Sequence, residues 1–191
     1  YMFPSSKQFG LEPCPPELLT PSYVQEVHRL VMDGLLDSAG SYRLTEAAPA
    51  GYEMYYYKSP SRIAPALEAL CARTARNLSD LSDAACVEHP TAEHIMSLTS
   101  IGADFLGTFL DIHPFSNGNG RTGRLLLSFI ICSISIVPVS LCVASPKRNR
   151  DVYLDTLVQA RMMSPHNYST LQSLVLEAVH HNMAALHWWQ S

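Results

Sequence analysis

A long apolar run, Leu125 to Ala144 (LLLSFIICSISIVPVSLCVA), follows directly on a segment of opposite character, HPFSNGNGRTGR at 113–124. Twenty residues at 1.5 Å each span about 30 Å, the thickness of a bilayer core. Four serines dilute the run and Pro138 interrupts it. It therefore reads as a buried helix, apolar all round because neighbouring elements cover every side.

Those neighbours are legible as helices. Pro21-Ser22 opens one, with Val24, Val27, His28, Val31 and Leu35 on a single stripe and Gly40 as its stop. Ile63, Leu67, Leu70 and Cys71 form the apolar face of another, whose far end is marked by Arg73, Arg76 and Asn77. Thr91 caps a third, with His94 three positions on, that presents Ile95, Leu98, Gly102, Phe105, Leu106 and Phe109. Beyond a loop around Pro146, Val152, Leu154, Leu157 and Val158 mark a further helix. Leu171, Leu174, Val175, Ala178 and Leu186 mark the last. The exception is 41–58, where Pro-Ala-Gly at 49–51 separates two short arms, the second tyrosine-rich (Tyr52 to Tyr57), and predicts a β-hairpin. Five prolines within residues 1–21 predict an extended lead-in. The chain thus reads as a lead-in over 1–21 and one mainly α domain over 22–191, with about six to eight helices and one hairpin.

Composition removes several functions. A net charge of −4, a pI near 6.0 and no basic patch of the extent a phosphate backbone needs argue against a nucleic-acid surface. Five cysteines, odd in number and never spaced C-x-x-C, fit reduced thiols and a cytoplasmic setting. No H-E-x-x-H occurs, and His180-His181 point about 100° apart on a helix, so neither suggests a metal site. Nothing near Tyr1 resembles a signal peptide, and no membrane partner is expected.

The polar segment carries the chemistry. Gly118-Asn119-Gly120 precedes an apolar helix, whose first N–H groups lack internal partners and carry partial positive charge. Glycines there let a phosphate approach the backbone. Arg121 and Arg124, three apart, share one face and can reach phosphate oxygens together. An unperturbed histidine titrates near neutral pH, so the residue type at His113 can serve as a general base. Because Pro114 follows it, its backbone is expected to be extended and outside the preceding helix. Phe115 reads as a buried anchor for the turn.

HPFSNGNGRTGR resembles the signature of the Fic family, H-P-F-x-[D/E]-G-N-[G/K]-R-x-x-R, at every fixed position except Asn117. GSYR at 40–43 is similar to the G-x-Y-R that begins that family's flap hairpin, and NRDVYLDTL at 149–157 to its R-x-x-Y-x-x-x-L helix. The resemblance extends over roughly 22–185. It implies a protein adenylyltransferase that moves AMP from ATP, with Mg²⁺ or Mn²⁺ as cofactor, onto a Ser, Thr or Tyr hydroxyl of a target protein. By position, His113 becomes the base and Phe115 the anchor. Gly118, Asn119, Gly120, Arg121, Arg124 and Tyr153 become the nucleotide site. The target would dock on the flap hairpin about 41–58, and a homodimer is compatible with the family.

Three positions depart from the pattern. The family's metal-holding acid is replaced by Asn117, which offers an oxygen but no charge. This opens two alternatives: another donor such as UTP or CDP-choline, or a non-catalytic nucleotide- or protein-binding module. Arg161 stands where relatives place an Asn near the adenine. Ser173 and Glu177 have the spacing of the family's inhibitory helix, [S/T]-x-x-x-E-[G/N], but Ala178 follows. An ordinary exposed glutamate is the plainer reading of Glu177.

Overall fold

The structure, a computed structural model, describes residues 14–49, 56–82, 90–135, 138–139, 141, 146–163 and 166–190. Six helices follow in order: α1 Pro21–Val31, α2 Pro60–Ser82, α3 Ala92–Ile112, α4 Asn119–Ile130, α5 Pro146–Met162 and α6 Ser169–Gln190. α3 is the central element, packed against α2, α4 and α6, while α1 lies on α4 and α5 on α6. Its buried face runs through Leu98, Phe105, Leu106, Phe109, Leu110 and Ile112. Each large side chain taken fully from water there contributes roughly 1.5–3 kcal/mol.

Two glycines let α3 and α4 approach each other. A Cβ on Gly102 would stand 2.7 Å from Leu127 Cδ1, and one on Gly123 would stand 2.9 Å from Leu106 Cδ1. Either contact is closer than side chains tolerate. This crossing fixes the α3–α4 connection, and with it the segment 113–118.

Helix starts follow their caps. Thr20 accepts the Tyr23 N–H at the head of α1, and Thr91 accepts the His94 N–H at the head of α3, as the sequence predicts for Thr91. Helix ends differ more. α1 stops at Val31, not at Gly40, and the chain turns through 32–40, which leaves Leu35 66% exposed and off the stripe. α2 passes Arg73 and Asn77 and runs to Ser82. On α5 the inward residues are Tyr153, Thr156, Leu157 and Ala160, whereas Val152 and Leu154 face out.

The apolar run at 125–144 is not one helix. α4 ends at Ile130, and the chain returns through Val139, whose N–H donates to Ser128 Oγ at 2.9 Å. Leu125 is exposed, so α4 is not apolar-covered on all sides. Among the described residues, the helix long and apolar enough to cross a membrane is instead α3, and 61% of that window is covered by the rest of the fold.

At the N-terminus, Cys14 and Leu19 belong to the core and Pro16–Leu18 forms a 3₁₀ turn, so packed structure reaches back into the expected lead-in. No strand occurs among the described residues. The expected hairpin is represented by two arms joined by one backbone bond, Tyr57 N–H to Ala47 O at 3.0 Å. Its turn at Ala50 and Gly51, and Tyr52 to Tyr55, lie outside the described residues.

Candidate active site

α3 ends at Ile112, and His113 caps it in the left-handed region, φ 51° and ψ 60°, with its N–H still bonded to Phe109 O. It is the one non-glycine residue of positive φ among the described residues. The expected extended backbone is therefore corrected. A side chain in this region costs about 1–2 kcal/mol, and the compensation comes from Arg43.

Arg43 is 4% exposed and donates to five carbonyl oxygens. Its backbone N–H reaches Pro114 O at 2.9 Å, Nε reaches His113 O at 2.7 Å and Nη1 reaches Thr45 O at 2.7 Å. Nη2 serves Lys58 O and, at 3.4 Å, Ile112 O. The carbonyls at the end of α3 are thus drawn toward a buried cation, which turns the chain at His113 before Pro114 can extend it. The His113 imidazole lies flat against the Tyr57 ring, centroids 3.9 Å apart and planes 10° from parallel.

Phe115 is fully buried against Phe109 and Tyr42, and its ring stacks on His28 at 3.7 Å. Its backbone is held by Asn119, whose Oδ1 accepts the Phe115 N–H at 3.0 Å while Nδ2 donates to Phe115 O at 2.7 Å. The Asn119 side chain is therefore a latch across the turn. Only its backbone N–H is left to contribute to an anion hole.

His28 supports the motif loop in a way the sequence does not reveal, because a histidine within an apolar stripe reads only as core. Its Nδ1 accepts the Gly40 N–H at 2.8 Å, so Nε2 carries the proton and donates to Asn117 O at 3.0 Å. Burial holds its pKa below the ordinary value, partly opposed by the bond to Asn117. The neutral ring thereby ties the 32–40 turn to the motif loop. Gly118 follows in the left-handed region, φ +79°, and a Cβ there would stand 2.6 Å from Met32 Sδ and 3.1 Å from His28 Nε2. Glycine is required at this point on both grounds.

Gly118 caps α4 without a side chain, and the first turn of α4 contains no acid. Arg124 Nη1 lies 3.2 Å from where a Gly120 Cβ would stand, so its guanidinium folds back over the helix start; Arg121, in the first turn of α4, is exposed. An open helix N-terminus flanked by two arginines suits a phosphate chain. Tyr153, by contrast, is buried in the core with Leu157 and offers its ring to packing. Glu177 is exposed on α6, and no ion pair among the described residues joins it to Arg124. The side chain of Arg161 lies outside the described residues.

Asn117 is exposed, and its Oδ1 accepts the Gly118 N–H at 2.7 Å. The oxygen that would face a cation is engaged by its own loop. No group of three His, Cys, Asp or Glu suited to a metal ion occurs among the described residues. The donor set does not fit a divalent ion held by this chain alone.

The Fic/DOC family model matches residues 18–131, more than half of the chain. The chain belongs to the Fic/DOC family. This Fic domain shares its fold with a Fic family protein of Desulfovibrio desulfuricans G20, at a TM-score of 0.66 and 20% identity over 92% of this chain and 51% of that one. It is also similar to BepC, a VirB-translocated effector of Bartonella tribocorum with bound AMPPNP, at 0.63 and 18% over 91% and 80%. A Fic domain signaling protein of Bacteroides thetaiotaomicron VPI-5482 gives 0.59 and 20% over 86% and 58%. A curated relative, the ribonucleoside-diphosphate reductase small chain of Ostreid herpesvirus 1 (isolate France), is 29% identical over 72% of this chain. The chain spans 22% of that protein and about half of the Desulfovibrio protein.

Proposed function

We infer that this Fic domain is a transferase that moves AMP from ATP to a hydroxyl of a target protein. The observation that carries the reading is the pairing of a constrained histidine at the end of α3 with an uncapped, glycine-opened, arginine-flanked helix start five residues on. The phosphates would lie on the N–H groups at the start of α4, with Arg124 and Arg121 neutralising their charge. The target hydroxyl oxygen forms a bond to the α-phosphorus as the bond to the β-phosphate oxygen breaks, and pyrophosphate leaves. His113 takes the hydroxyl proton. BepC binds an ATP analogue, which supports a nucleoside triphosphate as the donor here.

The arms at 43–47 and 56–58 would form the flap on which an extended target segment docks. Leu44 and Tyr56, exposed on the two arms, provide apolar contact for it. A divalent ion, when present, offsets phosphate charge. Because Asn117 is already bonded to Gly118, the ion would be held chiefly by the nucleotide.

A second reading, another donor, is favoured by that same engaged Asn117. Incubation with a lysate and ATP, UTP or CDP-choline, each labelled in the group that would be transferred, separates the donors. AMP attached to protein is expected. Transfer only of UMP or phosphocholine would replace the donor, and no transfer from any of them would favour a binding module.

A further inference from the structure

Arg43 and Tyr57 lie on the two arms of the proposed flap, and both face inward onto His113. Arg43 binds Thr45 O and Lys58 O on the arms and Ile112 O, His113 O and Pro114 O at the end of α3. Tyr57, tied to the first arm through Ala47 O, covers one face of the imidazole. Lys58 adds a tie from the second arm to α3 through Asp111, at 3.9 Å. The surface that would present the target and the residue that would accept its proton are thus one hydrogen-bonded unit, with a single guanidinium at its centre.

We propose that Arg43 is a positioning residue, which sets the His113 imidazole against Tyr57 and fixes its distance from the flap. This rests on His113 being the base of the proposed transfer. A guanidinium has donors on three nitrogens in one plane and can serve divergent carbonyls at once. A lysine has one nitrogen and cannot. Losing the hub frees His113 to leave its left-handed conformation, which is strained unless its carbonyl is held. The phosphate cradle at 118–124 makes none of these contacts with Arg43, so nucleotide binding is independent of it.

Two readouts on Arg43→Lys decide the matter. The first is the NMR spectrum of the His113 ring, whose protons are shifted upfield by the Tyr57 face in the wild type. The second is transfer rate measured beside affinity for a non-hydrolysable ATP analogue. The expected result is loss of the upfield shift, unchanged nucleotide affinity and a fall in kcat of about 100-fold, the scale of a roughly 1 Å misplacement. A retained upfield shift overturns the proposal whatever the activity. So does wild-type kcat after the shift is lost, or a parallel loss of nucleotide affinity, which would mark a merely structural role.

If Arg43→Lys does not fold, Tyr57→Leu on the half-buried arm takes its place. Loss of the shift and a fall in kcat of roughly tenfold are expected, with Tyr57→Phe restoring both. Wild-type kcat in Tyr57→Leu overturns the proposal. Should the wild type transfer nothing, the functional reading fails, and the ring shift alone still decides whether Arg43 holds His113.

Discussion

His28 and Asn117 are joined by a 3.0 Å hydrogen bond from the imidazole Nε2–H to the Asn117 carbonyl, across 89 residues of chain. The other ring nitrogen accepts the Gly40 N–H. A ring used on both sides in this way must stay neutral, since protonating Nδ1 would set two N–H groups against each other. Burial accordingly depresses its pKa below 6.5, with His94 depressed in the same direction by its own burial.

That depression fixes a pH dependence. In the unfolded chain His28 gains a proton as pH falls through about 6.5, while in the folded chain it does so only at lower pH. The stability it contributes is therefore complete above pH 6.5 and lost as pH falls through the depressed folded value. Thermal unfolding measured from pH 7.5 to 5 should show a falling Tm, and His28→Gln should flatten the fall while lowering Tm at pH 7.5. An unchanged slope in the variant would assign the acid sensitivity to other groups.

Gly118→Ala meets two penalties at once. Its φ of +79° costs a Cβ about 1–2 kcal/mol, and the 2.6 Å approach to Met32 Sδ adds an overpacking cost of about 1–3 kcal/mol. Denaturant unfolding should show a loss of roughly 2–5 kcal/mol, and nucleotide affinity should fall as the loop is displaced. Met32→Ala in the same chain relieves the clash but not the backbone strain, so partial recovery is expected.

Asn117→Asp tests the engaged amide. The substituted carboxylate can still accept the Gly118 N–H with one oxygen, which leaves the second, charged, for a cation. The divalent-ion concentration for half-maximal transfer should drop by roughly tenfold, equivalent to about 1.4 kcal/mol. Unchanged metal dependence would mean that position 117 does not face the ion.

The glycine turn at 118–120 and the histidine before it are legible as a candidate site because their chemistry is local: glycines, arginines and a histidine within twelve residues. Periodicity likewise placed Ile63, Leu67, Leu70 and Cys71 on one buried face, and the Thr91 cap needed only three residues to be seen. What was not legible depends on contacts distant in sequence. The left-handed His113 runs against the preference of a residue before proline, because a guanidinium 70 positions earlier holds its carbonyl. His28 looked like part of a stripe because its two partners, Gly40 and Asn117, come from separate loops. Helix ends differ for a related reason: an apolar run from 125 to 144 indicates residues suited to burial, not that they continue one helix past Ile130.

Whether His113 is the base of a nucleotidyl transfer is decided by α-labelled ATP with Mg²⁺ and a lysate, comparing the wild type with His113→Ala at matched nucleotide occupancy. Label on protein is expected with the wild type and a fall of roughly 10²–10⁴-fold with His113→Ala, while affinity for the ATP analogue is kept. Label transferred equally well by His113→Ala would contradict it.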